Sequence, residues 1–175
     1  MKKILLVIDM QNDFIDAALG TKEAVAIVEN VKSKIRSYEK SNIFATRDTH
    51  EENYLETQEG EHLPVRHCIR GTEGWQIRPD IQELLDESKI FDKPTFGSVK
   101  LAQEIQKLYE SEKGELEVEI CGLCTDICVV SNALLLKATL PEMKISLDPK
   151  CCAGVTPQKH DAAIETMRSC QIQII

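Results

Sequence analysis

The chain alternates short apolar runs with longer amphipathic stretches. Lys3–Asp9 is an almost unbroken apolar run ending on a carboxylate, the pattern of a parallel strand covered on both faces. From Thr21 to about Tyr38, the apolar positions Ala24, Ile27, Val28, Val31 and Ile35 fall on one face of a helix. The pattern continues with predicted strands over Asn42–Arg47, Lys89–Asp92, Leu116–Gly122, Lys144–Leu147 and Gln171–Ile175. Helices are predicted over Pro79–Leu85, Val99–Tyr109, Thr125–Thr139 and Pro157–Met167, with Pro79 suited to a first turn. Thr49 to about Arg78 is a long polar connection. A connection of that length in a compact domain is usually functional or disordered.

Strands alternating with helices predict an α/β fold, doubly wound in three α/β/α layers around a mainly parallel sheet of about six strands. Residues 1–175 are expected to form a single domain. In such sheets ligands sit outside the C-terminal ends of strands. Those ends carry Asp9, Asp48, Lys93 and Cys124.

Composition narrows the field mainly by exclusion. The formal net charge is -8 and no Lys/Arg-rich run occurs, so no nucleic-acid partner is expected. No apolar stretch approaches the roughly 20 residues of a membrane-spanning helix, so no membrane partner is expected either. Met1–Ile8 reads as a buried first strand and not as an export signal, because Asp9, Gln11, Asn12 and Asp13 interrupt it without a cleavage pattern. The seven cysteines are therefore read as thiols in a reducing compartment, and a cytoplasmic location is expected.

One segment suggests nucleophilic chemistry. Thr125-Asp126-Ile127-Cys128 follows a strand and opens a helix, with Thr125 as a potential cap and Cys128 in the first turn. The positive end of a helix stabilises a thiolate, and its free N–H groups can hold an oxyanion. A buried, inert cysteine is the bland alternative. A nucleophilic thiol also needs a proton acceptor. Asp9 could fill that role from another strand end, with Lys93 holding negative charge on both.

Asp48 and His50 stand two apart at a strand end and project to one side, while His67 arrives later in the long connection. Asp/His/His sets suit zinc, iron or manganese, and Glu59, Glu61 or His62 could add a ligand; a solvated polar loop is the alternative. The Cys121-x-x-Cys124 pair with Cys151-Cys152 permits a further reading, a non-enzymatic thiol metal site or redox module.

Leu5-Leu6-Val7-Ile8-Asp9-Met10-Gln11-Asn12-Asp13-Phe14 resembles the opening motif of isochorismatase-like hydrolases. Gly122-Leu123-Cys124-Thr125-Asp126-Ile127-Cys128-Val129 resembles their nucleophile motif, and Phe91-Asp92-Lys93-Pro94 their lysine segment. Asp48-Thr49-His50 and His67-Cys68-Ile69-Arg70-Gly71-Thr72 are similar to the metal segments of the nicotinamidase type. The resemblance implies Asp9, Lys93 and Cys128 as catalytic residues. It also implies a cis Leu123–Cys124 peptide, an oxyanion hole from the Cys124 and Cys128 N–H groups, and a Zn, Fe or Mn ion on Asp48, His50 and His67.

The chain departs from the nicotinamidase pattern in lacking a histidine a few residues beyond Asp48-x-His50, for which Glu59 is the expected substitute and Glu61 the second choice. The tryptophan that often precedes the proline-histidine segment is also missing, and Tyr54-Leu55 and Trp75 are candidate replacement walls. The expected activity is hydrolysis of a small carboxamide, with nicotinamide first, zinc as the leading cofactor and Phe14 as a flat wall for the substrate. Vinyl-ether hydrolysis, which needs no cysteine, is the weaker alternative. A homo-oligomer is expected.

Overall fold

A computed structural model describes all residues, 1–175. The strands are β1 (Lys2–Ile8), β2 (Ile43–Asp48), β3 (Ile90–Lys93), β4 (Leu116–Leu123), β5 (Lys144–Ala153) and β6 (Gln173–Ile174). They form one sheet in the order β3-β2-β1-β4-β5-β6, and every pairing is parallel. The helices are α1 (Asn12–Ile15), α2 (Lys22–Arg36), α3 (Gln58–His62), α4 (Pro79–Gln82), α5 (Val99–Ser111), α6 (Val130–Thr139) and α7 (Pro157–Ser169).

The side-chain alternation of β1 explains the layering. Ile4, Leu6 and Ile8 pack into a core with Leu101 and Ile105 of α5, Ala133 and Leu136 of α6 and Ile164 and Met167 of α7. Leu5 and Val7 point the other way, into a second core with Ile27, Val28, Val31 and Ile35 of α2. Removing both strand faces from water is the main stabilising contribution, about 1.5–3 kcal/mol for each fully buried large aliphatic side chain. No helix is long and apolar enough to cross a membrane.

Two elements differ from the sequence-based expectation. β5 runs on to Ala153, beyond the predicted end at Leu147. Its pairing with β4 jumps from Ile120–Leu147 to Gly122–Cys152, so Asp148–Cys151 form a bulge around Pro149. That proline is tolerated because β6 pairs only at Ser146 and Leu147. The connection after β2 is not featureless: a short 3-10 turn at Tyr54–Glu56 leads into α3, whose cap Thr57 accepts a hydrogen bond from the Gly60 amide.

The sheet order reverses direction between β1 and β4, a topological switch point where such folds open a crevice. The backbones are in close approach there. Gly122 pairs with Ile8 at φ +118°, and a Cβ would stand 2.1 Å from the Ile8 carbonyl oxygen. Only glycine fits.

Candidate active site

Three strands deliver charged or nucleophilic groups to the crevice. Asp9 follows β1 in a left-handed conformation, φ 46°, of the kind that a surrounding structure must hold in place. Its amide lies 3.3 Å from the Thr46 carbonyl, and its Oδ1 accepts a 2.7 Å hydrogen bond from the Thr46 hydroxyl. Lys93 ends β3 directly opposite Asp48 of β2. Its ammonium is 2.7 Å from Asp9 Oδ2, 2.9 Å from Asp48 Oδ1 and 3.4 Å from Cys128 Sγ, in a position only 1% exposed.

Burial and neighbouring charges act on these groups in opposite directions. Burial opposes the charge on Lys93, but Asp9, Cys128 and Asp48 more than offset it and hold its pKa well above the usual value. Burial raises Asp9 above the ordinary carboxylate range despite Lys93. Burial, reinforced by Asp9, also pushes the Cys128 thiol well up, and Lys93 only partly counters this. The expectation of a thiolate stabilised by the helix end is therefore corrected. The Cys128 sulfur lies beside the Lys93 ammonium, with burial and Asp9 acting on it in the same upward direction.

The turn carrying Cys128 also differs from expectation. Thr125–Val129 is a π-helical turn preceding α6, with no side-chain cap. The fully buried Thr125 hydroxyl is instead engaged by His160 Nδ1 of α7 at 2.8 Å. Asp126 Oδ1 accepts from the Val155 amide at 3.0 Å. Asn132 donates to the Cys128 carbonyl at 2.8 Å and accepts from the Ser98 amide at 2.9 Å. The Leu123–Cys124 peptide is cis.

Asp48, His50 and His67 are buried, with potential ligand atoms all within 4.8 Å of one another. The donor set fits a divalent ion. His67 Nδ1 donates to the Val65 carbonyl at 2.8 Å, which fixes the tautomer and leaves the Nε2 lone pair free. His50 Nε2 is buried without a hydrogen-bond partner, although Asp48 Oδ2 is 3.0 Å away. A close approach without hydrogen-bond alignment is what two atoms facing a common third partner produce. Glu59 Oε1 lies 3.6 Å from His50 Nε2 and 3.8 Å from His67 Nε2. Glu61 is exposed, and His62 Nδ1 is bonded to the Gln58 carbonyl.

The thiol alternative finds no such convergence. Cys121 and Cys151 enter one core and Cys152 the other, all seven cysteines are free, and none joins the ligand cluster.

A cavity of about 350 Å³ joins the two groups, reaching Cys128 and Cys124 at one side and Asp48, Glu59 and His67 at the other. Phe14 lines it, its ring 5.6 Å from that of His67. The remaining apolar wall is Leu19, Leu63, Phe96, Ile127 and Val155. Tyr54 and Trp75 do not line it, which corrects that expectation. Tyr54 is buried against both histidine rings, at 4.6 and 5.0 Å. Trp75 donates to Thr49 and lies under the Arg47 guanidinium.

Sequence reasoning missed the residues that hold this arrangement. Gln11 accepts from the Asp48 amide at 2.7 Å and donates to the Asp48 and Trp75 carbonyls at 2.8 Å. Asp13 accepts from the Cys68 amide at 2.7 Å and so anchors the residue after His67. Both lie in the opening segment after β1, and two polar residues closely following a buried strand were the available signal.

Comparison with known proteins agrees with this architecture. The sequence matches the isochorismatase domain over residues 3–175. An uncharacterized isochorismatase family protein of Bacillus subtilis is 30% identical over 145 residues, spanning 77% of this chain and 78% of that one. A nicotinamidase/pyrazinamidase of Mycobacterium tuberculosis is 22% identical across 99% of this chain and 98% of its own. The zinc complex of a pyrazinamidase from Pyrococcus horikoshii superposes with a TM-score of 0.79 at 28% identity, over 100% of this chain and 99% of that one. With the domain match running from the first strand to the last residue, the chain belongs to the isochorismatase family.

Proposed function

We propose that this chain is a metal-assisted cysteine amidohydrolase that cleaves a small carboxamide, with nicotinamide as the leading substrate. The observation that carries this reading is the meeting of Asp9, Lys93 and Cys128 beside Asp48, His50 and His67 in one cavity.

Asp9 takes the Cys128 proton as the sulfur attacks the amide carbon, a direct transfer that suits a thiol held neutral by burial. The Cys124 and Cys128 amides hold the developing oxyanion. Asp9 then passes the proton to the departing nitrogen, releasing ammonia and leaving a thioester on Cys128. Water attacks the thioester with Asp9 again as base, so the carboxylic acid leaves and the thiol regains its proton. Lys93 stays charged throughout and prevents the negative charges of Asp9 and Asp48 from repelling the reaction. A divalent ion held by Asp48, His50 and His67, with Glu59 as a further ligand and zinc favoured, supplies Lewis acidity for a substrate heteroatom. Phe14 offers its face to an aromatic acyl group.

Support comes from the relatives named as nicotinamidases and pyrazinamidases, which act on ring carboxamides by their names. The decisive experiment is ammonia release from a panel of small amides by metal-loaded protein. Nicotinamide is expected to be turned over faster than aliphatic amides. No release from any member would reject the amidohydrolase reading, and release only from aliphatic amides would reject the aromatic substrate.

A further inference from the structure

The cavity, at about 350 Å³, has the size usual for a small-molecule site, roughly 300–1,000 Å³. Beyond the reacting groups and metal-ligand candidates its wall is apolar except for Thr21 and Lys159, and includes Leu63, Phe96 and Val155, which are 38%, 46% and 38% exposed at the mouth. One full positive charge interrupts that wall. Lys159 lines the cavity from the first turn of α7.

Lys159 is an exposed lysine distinguished by its place in the cavity lining; Lys100, in the first turn of α5, is likewise without an ion pair or an acidic residue in its turn but lines no such cavity. The Lys159 backbone amide donates to the Thr156 cap at 3.2 Å, and no carboxylate pairs with its ammonium. Lys159 also stands at the end of the helix where a cation is disfavoured by the helix dipole, and no acidic residue of that turn compensates. In a chain of net charge -8, an unpaired cation facing the reaction cavity is a local attractor for an anion.

We propose that Lys159 is a specificity-determining residue and that the preferred substrate is a carboxamide whose acyl part carries a carboxylate directed toward the cavity mouth. This deepens the amidohydrolase reading and rests on it. A carboxylate fits better than a phosphate, because a single lysine supplies one point charge and the mouth offers no arginine fork. With the scissile amide against Cys128, a carboxylate on the far side of the acyl group faces the α7 wall of the same cavity.

The test compares kcat/KM for nicotinamide and a ring-carboxylated nicotinamide in the wild type, Lys159→Met and Lys159→Arg. The wild type is expected to favour the carboxylated amide. That preference should fall about fivefold to tenfold in Lys159→Met, as for loss of one charge-assisted contact, and be retained in Lys159→Arg. A selectivity ratio equal in the wild type and Lys159→Met overturns the proposal. If neither amide is hydrolysed, the nicotinamide-type substrate reading fails separately, and calorimetric binding of pyridine dicarboxylate decides the role of Lys159. Tighter binding to wild type than to Lys159→Met upholds the anion site; equal binding rejects it.

Discussion

The Lys93 ammonium lies 3.4 Å from the Cys128 sulfur, yet burial and Asp9 push that thiol's pKa up and Lys93 only partly counters them. Alkylation of Cys128 by iodoacetamide should therefore be slow at neutral pH and keep accelerating through the alkaline range. A rate already at its plateau near pH 7 would contradict this upward shift.

The two cavity thiols should separate by mutation. Cys128→Ala removes the proposed attacking atom and should lower turnover roughly a thousandfold or more. Cys124→Ala keeps the backbone N–H assigned to the oxyanion hole and should retain substantial activity. Steady-state ammonia release by the two variants checks the assignment, and the opposite pattern overturns it.

In the proposed mechanism Asp9 must be deprotonated to accept the thiol proton, and burial raises its pKa. Activity should therefore fall on the acid side at a pH above the ordinary carboxylate pKa of about 4. Thr46 stabilises the charged form through its 2.7 Å bond to Oδ1, so Thr46→Val should move this acid limb further up. A kcat/KM profile for the two proteins measures the shift, and a downward displacement would show that the limb belongs to another group.

His50→Ala and His67→Ala should each lower bound transition metal, measured by elemental analysis, and reduce turnover without unfolding the chain. Removing either leaves an incomplete oxygen–nitrogen set for the ion. Full activity in protein verified to be free of metal would falsify the proposed requirement.

His160 hydrogen-bonds the Thr125 hydroxyl at 2.8 Å, on the turn that carries Cys128. His160→Ala should lower kcat several-fold with a smaller change in KM, and His160→Gln should recover part of the loss by restoring a hydrogen-bonding side chain. Equal damage to kcat and KM, with no rescue by glutamine, would mark a general packing role.

Much of the frame was readable because burial and hydrogen bonding leave periodic marks. The apolar run of β1 and the spacing of Ile27, Val31 and Ile35 report directly which faces are covered. Asp9, Asp48 and Lys93 were legible as strand-end charges in a parallel sheet, and the motif resemblance supplied the pairing that spacing could not. The remaining features depend on contacts remote in sequence. Thr125 has the composition of a helix cap, but a histidine 35 residues later takes its hydroxyl. Trp75 looked like a cavity wall until Arg47 and Thr49 occupied its face and edge. The Pro149 bulge follows from how far β6 extends, a property of the assembled sheet.

The reacting groups and the apolar walls stand on different kinds of backbone. Asp9 and Lys93 sit at or next to strand ends locked by the sheet ladder and Cys128 on the π-helical turn leading into α6, whereas Leu19, Leu63, Phe96 and Val155 stand on connections outside every strand and helix. The acyl preference can therefore drift under selection while the bond-breaking apparatus is inherited intact. Libraries randomised at those four wall positions should produce amidases of diverged taste from one ancestral scaffold, each still dependent on the same sulfur.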